Sequence, residues 1–202
     1  MRIIVLIFVV ATFAAENCLG LFHYKRDKWN AANPTKTLNP YNGKASVVYL
    51  HPTVTPYCGI PQSANCKKVI KDLQTNHMKN NCSDLGYNFV VGGCTGVFEG
   101  AGWDQVAPFS ENDVEPSIHI GVVGTYKDHI VSRSVAYTVK ALIDEGVSKN
   151  RISSDFTVKC SYNMDKPLRF ASSFGNIFPS FKCDQEREEC NGSMDYDYVE
   201  VQ

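Results

Sequence analysis

Gly86-Tyr87-Asn88-Phe89-Val90-Val91-Gly92-Gly93-Cys94-Thr95-Gly96-Val97-Phe98-Glu99-Gly100-Ala101-Gly102-Trp103 decides the fold of this chain. Tyr87, Phe89 and Val91 alternate as one strand, Val97 and Glu99 begin the next, and the glycines between them permit a tight turn. The stretch therefore reads as a β-hairpin. Tyr87 and Trp103 bracket it with glycines at their sides, a spacing that leaves room for a ligand to approach.

On either side of the hairpin, apolar runs alternate with helical periods. Ser46-Val47-Val48-Tyr49-Leu50 is short, apolar and β-branched, as a buried central strand should be, and it ends at His51-Pro52-Thr53. Over 63–81, Cys66, Val69, Ile70, Leu73 and His77 share one helical face while Lys67, Lys68, Lys71, Asp72 and Lys79 share the other. His77 on the apolar face reads as a packed core residue. Ser117-Ile118-His119-Ile120-Gly121-Val122-Val123 is another strand. From Ser134 to Glu145, Val135, Ala136, Val139, Leu142 and Ile143 form a core-facing stripe that Gly146 is expected to stop. Asp155 to Cys160 alternates like a strand. Residues 21–45 show no sustained period and read as an ordered lead-in in which Trp29 packs against the domain. From Lys182 the composition turns acidic. Strands alternating with helices imply a single α/β domain, a central mixed sheet flanked by helices and stabilised by disulfides.

Composition limits the function classes. With 202 residues, 44% of them hydrophobic, the chain can build one real core. A net charge of -1 and the absence of a basic block argue against a nucleic-acid partner. Met1-Arg2 followed by the apolar run Ile3 to Ala15 has the shape of a secretory signal peptide, a membrane anchor being the alternative. Cleavage is expected between residues 14 and 20, leaving no membrane span. Eight cysteines suit an oxidising compartment. The sequons at Asn81 and Asn191 make those residues expected glycosylation sites. The expected layout is a signal peptide over 1–20, a domain over 21–181 and a flexible acidic tail over 182–202, in a secreted, extracellular protein.

The hairpin resembles the "GYNF-xx-GG-DG-xVYEG-RGW" signature of peptidoglycan recognition proteins, whose fold is shared with zinc-dependent N-acetylmuramoyl-L-alanine amidases. Arg26, Trp29 and Ala31 resemble the family's "R-xx-W-x-A" opening, Ser117 to Val123 its "SIGISFIGNF", and Phe178-Pro179-Ser180-Phe181 its "WP-x-F". The resemblance spans roughly residues 26–181. It implies a short disulfide loop after the first strand, here Cys58 with Cys66. Two further pairs are open guesses: Cys94 with Cys160, and Cys183 with Cys190.

A catalytic zinc site needs three protein ligands and an open position for water. In the family the first ligand is the first histidine of His-His-Thr, which is His51 here; the second histidine of that pair is Pro52. The next ligand position falls at Ser161, and the third, approximately aligned, at Arg169. Tyr87 matches the tyrosine that assists catalysis, and Phe109 replaces a groove histidine. A hydroxyl is a poor zinc ligand and an arginine repels the cation. Cys160 beside Ser161 is a weak substitute, because adjacent strand residues point to opposite faces. No catalytic residues, metal or other cofactor are therefore expected, zinc entering only if the chain is an amidase after all. His119 stands at a glycine position of the family and is not expected to be a ligand.

The resemblance implies a secreted innate-immune protein that binds the muramyl-peptide stem of peptidoglycan, or a muropeptide, without hydrolysing it, and that has protein partners in immune signalling. The expected groove residues are His51, Thr53, Tyr87, Trp103, Asp104, Gln105, Phe109, Ser161 and Asn163. Asp104-Gln105 stands where the family tunes the choice of stem peptide, and Asp104 there would favour a free amine. One alternative is a zinc amidase. The other is a drifted groove acting as a protein-binding or inhibitory module, for which Pro52, Phe109, Cys94 and the acidic tail speak. Tyr196 and Tyr198, flanked by acids, resemble sulfation sites, a solvated tail being the plainer reading. The sequence has no nucleophile elbow and no phosphate-cradling loop.

Overall fold

The computed structural model describes residues 21–58, 63–93, 96–126, 130–162, 168–179, 181–185 and 190. In chain order the strands are β1 (Phe22–Tyr24), β2 (Ala45–Pro52), β3 (Phe89–Gly92), β4 (Gly96–Glu99), β5 (Ser117–Val122), β6 (Ile152–Tyr162) and β7 (Lys182–Gln185). The helices are α1 (Ser63–Lys79), α2 (Arg133–Ser148) and α3 (Leu168–Gly175). Short 3-10 turns occupy Arg26–Trp29 and Pro108–Ser110.

One mixed sheet runs β1-β4-β3-β5-β2-β6-β7. Only β3 and β4, the expected hairpin, pair antiparallel; every other neighbouring pair is parallel. The strands β3, β5, β2, β6 and β7 therefore all point one way, and their carboxyl ends make a common edge. Parallel strands buried on both faces lose strict alternation of apolar and polar residues, and β2 and β5 are buried throughout nearly their whole length.

Alternation nevertheless decides which helix each residue meets. Val48, Leu50, Phe89, Val91, Ile118, Ile120, Val122, Val158 and Cys160 pack with Ala136, Val139, Leu142 and Ile143 of α2 and with Phe170 and Phe174 of α3. On the opposite face Tyr87, Val90, Phe98 and Val123 meet Val69, Ile70 and Leu73 of α1, with Trp29 fully buried among them. Ser132 caps α2 by accepting a hydrogen bond from the Val135 amide. Gly146 does not end that helix, as its position suggested. A Cβ there would lie 2.6 Å from Ile152 and 2.7 Å from Trp103, so glycine is needed for close packing inside the helix.

Three disulfides lie among the described residues: Cys58–Cys66, Cys82–Cys190 and Cys160–Cys183. Cys160 is thus taken by Cys183 and Cys190 by Cys82, so the pairs Cys94–Cys160 and Cys183–Cys190 do not form. The boundary at Lys182 also moves. Residues 182–185 add β7 to the sheet, with Cys183 bonded to its register partner Cys160, and Cys190 is fastened to the turn after α1. The composition shift marked a change in surface, and covalent tethers hold its first part to the fold. The leader over 1–20, Cys94, Asn163 and residues 191–202, with Asn191, Tyr196 and Tyr198, lie outside the described residues. No described helix is long and apolar enough to cross a membrane.

Candidate functional site

The expected site residues on β2 and β6 sit at the carboxyl edge of the parallel strands, where open α/β sheets place their ligands. His51 ends β2 and lies opposite Gly121 of β5. On this face Tyr49 and His51 alternate with core-facing Val48 and Leu50, and Ser117, His119 and Gly121 alternate with Ile118 and Ile120.

His119 is the centre of the site. Its Nδ1 lies 3.0 Å from His51 Nε2, and its Nε2 lies 2.9 Å from Asp113 Oδ2 and 3.2 Å from Ser117 Oγ. The Ser117 hydroxyl also donates to Asp113. A carboxylate only accepts hydrogen bonds, so His119 presents its proton on Nε2 and leaves Nδ1 as the acceptor; His51 Nε2–H then donates to it. The result is a directed chain from His51 through His119 to Asp113, with both imidazoles stacked at 4.9 Å and buried. Asn88, on the hairpin, fixes it from behind: its side-chain oxygen accepts from the His119 amide, and its Nδ2 donates to the carbonyls of Gly102 and Gln105. Burial, with the Asp113 charge adding to it, pushes the Tyr41 phenol up to about 12.

Aromatic rings close around this chain. Tyr49 lies 5.0 Å from His119, Tyr87 lies 5.2 Å from His51, and Phe109 lies 5.9 Å from His51 and edge-on to Tyr87. His77 joins the cluster as the core residue expected of it, accepting the Gly86 amide at Nδ1. Gly86, beside Tyr87, and Gly100 admit protein rather than ligand. A Cβ on Gly86 would meet the Phe109 ring at 2.3 Å, and one on Gly100 would meet the Tyr87 carbonyl at 2.2 Å.

His51, Thr53, Tyr87 and Phe109 therefore come together, and all four are buried. Trp103 does not join them: it packs 4.4 Å from Phe89, on the α2 face of the sheet. Asp104 and Gln105 are exposed. Asp104 pairs with Arg151, whose carbonyl accepts from Ala45 at the opposite end of β2. Its carboxylate is engaged rather than held out for an amine. Ser161 lies in β6 opposite Asp184, and Arg169 is exposed on α3. Among the described residues no three His, Cys, Asp or Glu side chains converge as a metal site. Sequence reasoning missed His119, Asp113, Ser117 and Asn88. The alternation Ser117-Ile118-His119-Ile120 did carry a signal, because it puts His119 on the same face as His51.

The chain matches no family model. In sequence it is 29% identical over 154 residues to peptidoglycan-recognition protein SC2 of Drosophila simulans, covering 75% of this chain and 81% of the relative. It is 27% identical over 159 residues to a peptidoglycan recognition protein of Trichoplusia ni, covering 78% and 84%. Its fold matches bumblebee PGRP-SA with a TM-score of 0.71 at 23% identity, over 80% of this chain and 98% of that one. It also matches PGRP-LE, solved in complex with tracheal cytotoxin, a monomeric diaminopimelic acid-type peptidoglycan; there the TM-score is 0.68 at 24% identity, over 78% and 94%. In sequence and in fold alike, the chain is similar to peptidoglycan-recognition proteins.

Proposed function

We propose that this chain is a secreted innate-immune protein that binds the muramyl-peptide stem of bacterial peptidoglycan at the carboxyl edge of its sheet and does not hydrolyse it. The observation that carries the second half is the engagement of His51 by His119. Of the positions that the resemblance assigns to zinc, only His51 bears a metal-binding side chain, and its Nε2 is committed to a neighbouring imidazole. Arg169 brings a positive charge, and Cys160, the conceivable substitute, is bonded to Cys183. Strong zinc binding needs several deprotonated donors held together, and this donor set does not fit the ion. No cofactor enters the proposal.

The binding half is supported by the relatives' names and by the PGRP-LE complex. Export is supported by the leader-like Met1 to Ala15 and by the disulfides. Asn81, exposed in the turn after α1, is the glycan site of this reading. Protein partners would carry the signal onward. The burial of His51, Thr53, Tyr87 and Phe109 favours a second reading, a module whose groove has closed and whose partner is a protein.

Co-sedimentation of the mature secreted protein with insoluble lysine-type and diaminopimelate-type peptidoglycan, with assay of the supernatant for freed stem peptides, separates these readings. Pelleting without release is expected. Zinc-dependent release would overturn the non-hydrolytic reading, and failure to pellet with either type would leave the protein-binding module.

A further inference from the structure

The outer side of α1 is basic. Cys66, Val69, Ile70, Leu73 and His77 are buried against the domain, whereas Lys68 and Lys79 are exposed and Lys67 and Lys71 are half-buried at the margin of that outer side. Asp72 is the one carboxylate in the helix sequence. It pairs with Lys68 at 2.6 Å. The Lys67 ammonium lies 5.2 Å from the Tyr24 ring centroid, and Lys71 donates to Asn30 O at 2.5 Å. Neither contact neutralises charge, so the helix keeps an excess of three positive charges.

The chain's own anionic stretch starts at the end of this helix. Cys82, three residues past Lys79, is bonded to Cys190 with the two Cα atoms 5.1 Å apart, so whatever follows Cys190 is tethered beside the carboxyl end of α1. Residues 191–202 contain Asp195, Asp197 and Glu200 and no lysine or arginine. These acids stand five, seven and ten residues past the tether. At about 3.4 Å per residue they can reach at most about 17, 24 and 34 Å. Along a helix rising about 1.5 Å per residue, Lys68 lies about 17 Å from Lys79. The lysines of α1 are therefore all within the span of the segment. A single exposed ion pair is weak. Here the tether makes the encounter intramolecular, at an effective concentration on the order of millimolar.

We propose that residues 191–202 dock on the lysine face of α1 as an acidic strap in cis, with Asp195, Asp197 and Glu200 meeting Lys67, Lys68, Lys71 and Lys79. The occupant is this chain's own segment because the Cys82–Cys190 bond delivers complementary charge to the end of that face. The strap screens a basic surface that would otherwise attract anionic polymers and acidic proteins. It does not depend on peptidoglycan binding.

The test uses the mature, disulfide-intact protein and compares wild type with Asp195→Asn/Asp197→Asn/Glu200→Gln, changes that lie beyond the last cysteine. In amide NMR spectra at about 20 mM salt, the two should differ at residues 67–79. The difference should vanish at about 0.5 M salt, where screening acts within about 4 Å. Carbodiimide cross-linking of wild type at low salt should join the tail acids to Lys67, Lys68, Lys71 or Lys79 within one chain, at a yield independent of protein concentration. That yield should fall at least about fivefold in the high-salt buffer. Lys68→Gln/Lys79→Gln should lower it as well. Unchanged α1 amides in the neutralised variant, or cross-links only to lysines elsewhere, would overturn the strap. Cross-links between molecules that grow with concentration would also overturn it, giving the face to a second copy instead.

Discussion

Replacing His119 with phenylalanine is the most direct perturbation of the buried chain from His51 through His119 to Asp113. The substitution keeps an aromatic ring between Tyr49 and His51, at 5.0 and 4.9 Å, and removes both nitrogens. Asp113, whose side chain is 5% exposed, then loses the imidazole donor at 2.9 Å, and His51 Nε2 loses its acceptor at 3.0 Å. A hydrogen bond to a buried charged group contributes about 1.5–3 kcal/mol. His119→Phe should therefore destabilise the protein by about 1.5–3 kcal/mol, which for a chain of this length lowers the melting temperature by on the order of 5 °C. Asp113→Ala, losing the same contact from the other side, should cost about 1–3 kcal/mol. Because the two residues share one contact, the double variant should be milder than the sum of the singles by roughly 0.5–3 kcal/mol. Equilibrium unfolding in urea, followed by tryptophan fluorescence with disulfides intact, measures all four corners of the cycle. Strict additivity, or a His119→Phe cost below about 0.5 kcal/mol, would refute the directed chain inferred from the geometry.

Two further outcomes follow from covalent topology and from electrostatics. Cys82–Cys190 spans 108 residues and Cys58–Cys66 spans 8, so in the chain-entropy account the first contributes about 5 kcal/mol and the second about 2.5 kcal/mol. Removing each pair as a double alanine variant and comparing denaturant midpoints should rank them in that order, and the reverse ranking would show that the long tether does little to restrict the unfolded chain. For Glu145, burial alone would raise the carboxyl pKa, but the hydrogen bond from Lys149 and the pairing with His23 outweigh it and hold the pKa below its ordinary 4.5. A native pKa below the unfolded one means that the contribution is complete above the ordinary carboxylate value and is lost as pH falls through the native value. The gap in melting temperature between wild type and Glu145→Gln should be larger at neutral pH than in acid, and a gap independent of pH would contradict the pairing.

Much of the fold was legible locally. The hairpin around Gly92 and Gly93, the amphipathic period of α1 and the stripe of α2 are short-range patterns, and the structure has all three. The family resemblance rested on residues in those same elements. Legibility failed where contacts are long-range. Gly146 looked like a helix stop and is a packing site for Trp103 and Ile152. Lys182 looked like the start of a tail and begins a strand, because Cys160 holds Cys183 in register beside β6. α3 and β1 had no period long enough to read. In the site, His51, Thr53, Tyr87 and Phe109 converge, but Trp103 belongs to the other face of the sheet and Asp104 to the other end of β2. Strand alternation could have placed His119 beside His51, whereas nothing in the sequence ties Asp113 to either.

By itself, the sequence determined the α/β class, the hairpin, the two longer helices and the substitutions at the positions matching zinc ligands. Each depends on residue identity or on a period of two or 3.6 along one segment, which the chain carries wherever that segment ends up. Tertiary structure alone decided the disulfide partners beyond Cys58–Cys66, the seventh strand, and the burial of His51, Thr53, Tyr87 and Phe109. It also decided that His51 is hydrogen-bonded to His119. The physical reason is distance along the chain. His51 and His119 are 68 residues apart and Cys82 and Cys190 are 108 apart, and only the closing of a parallel sheet brings such groups within reach of one another.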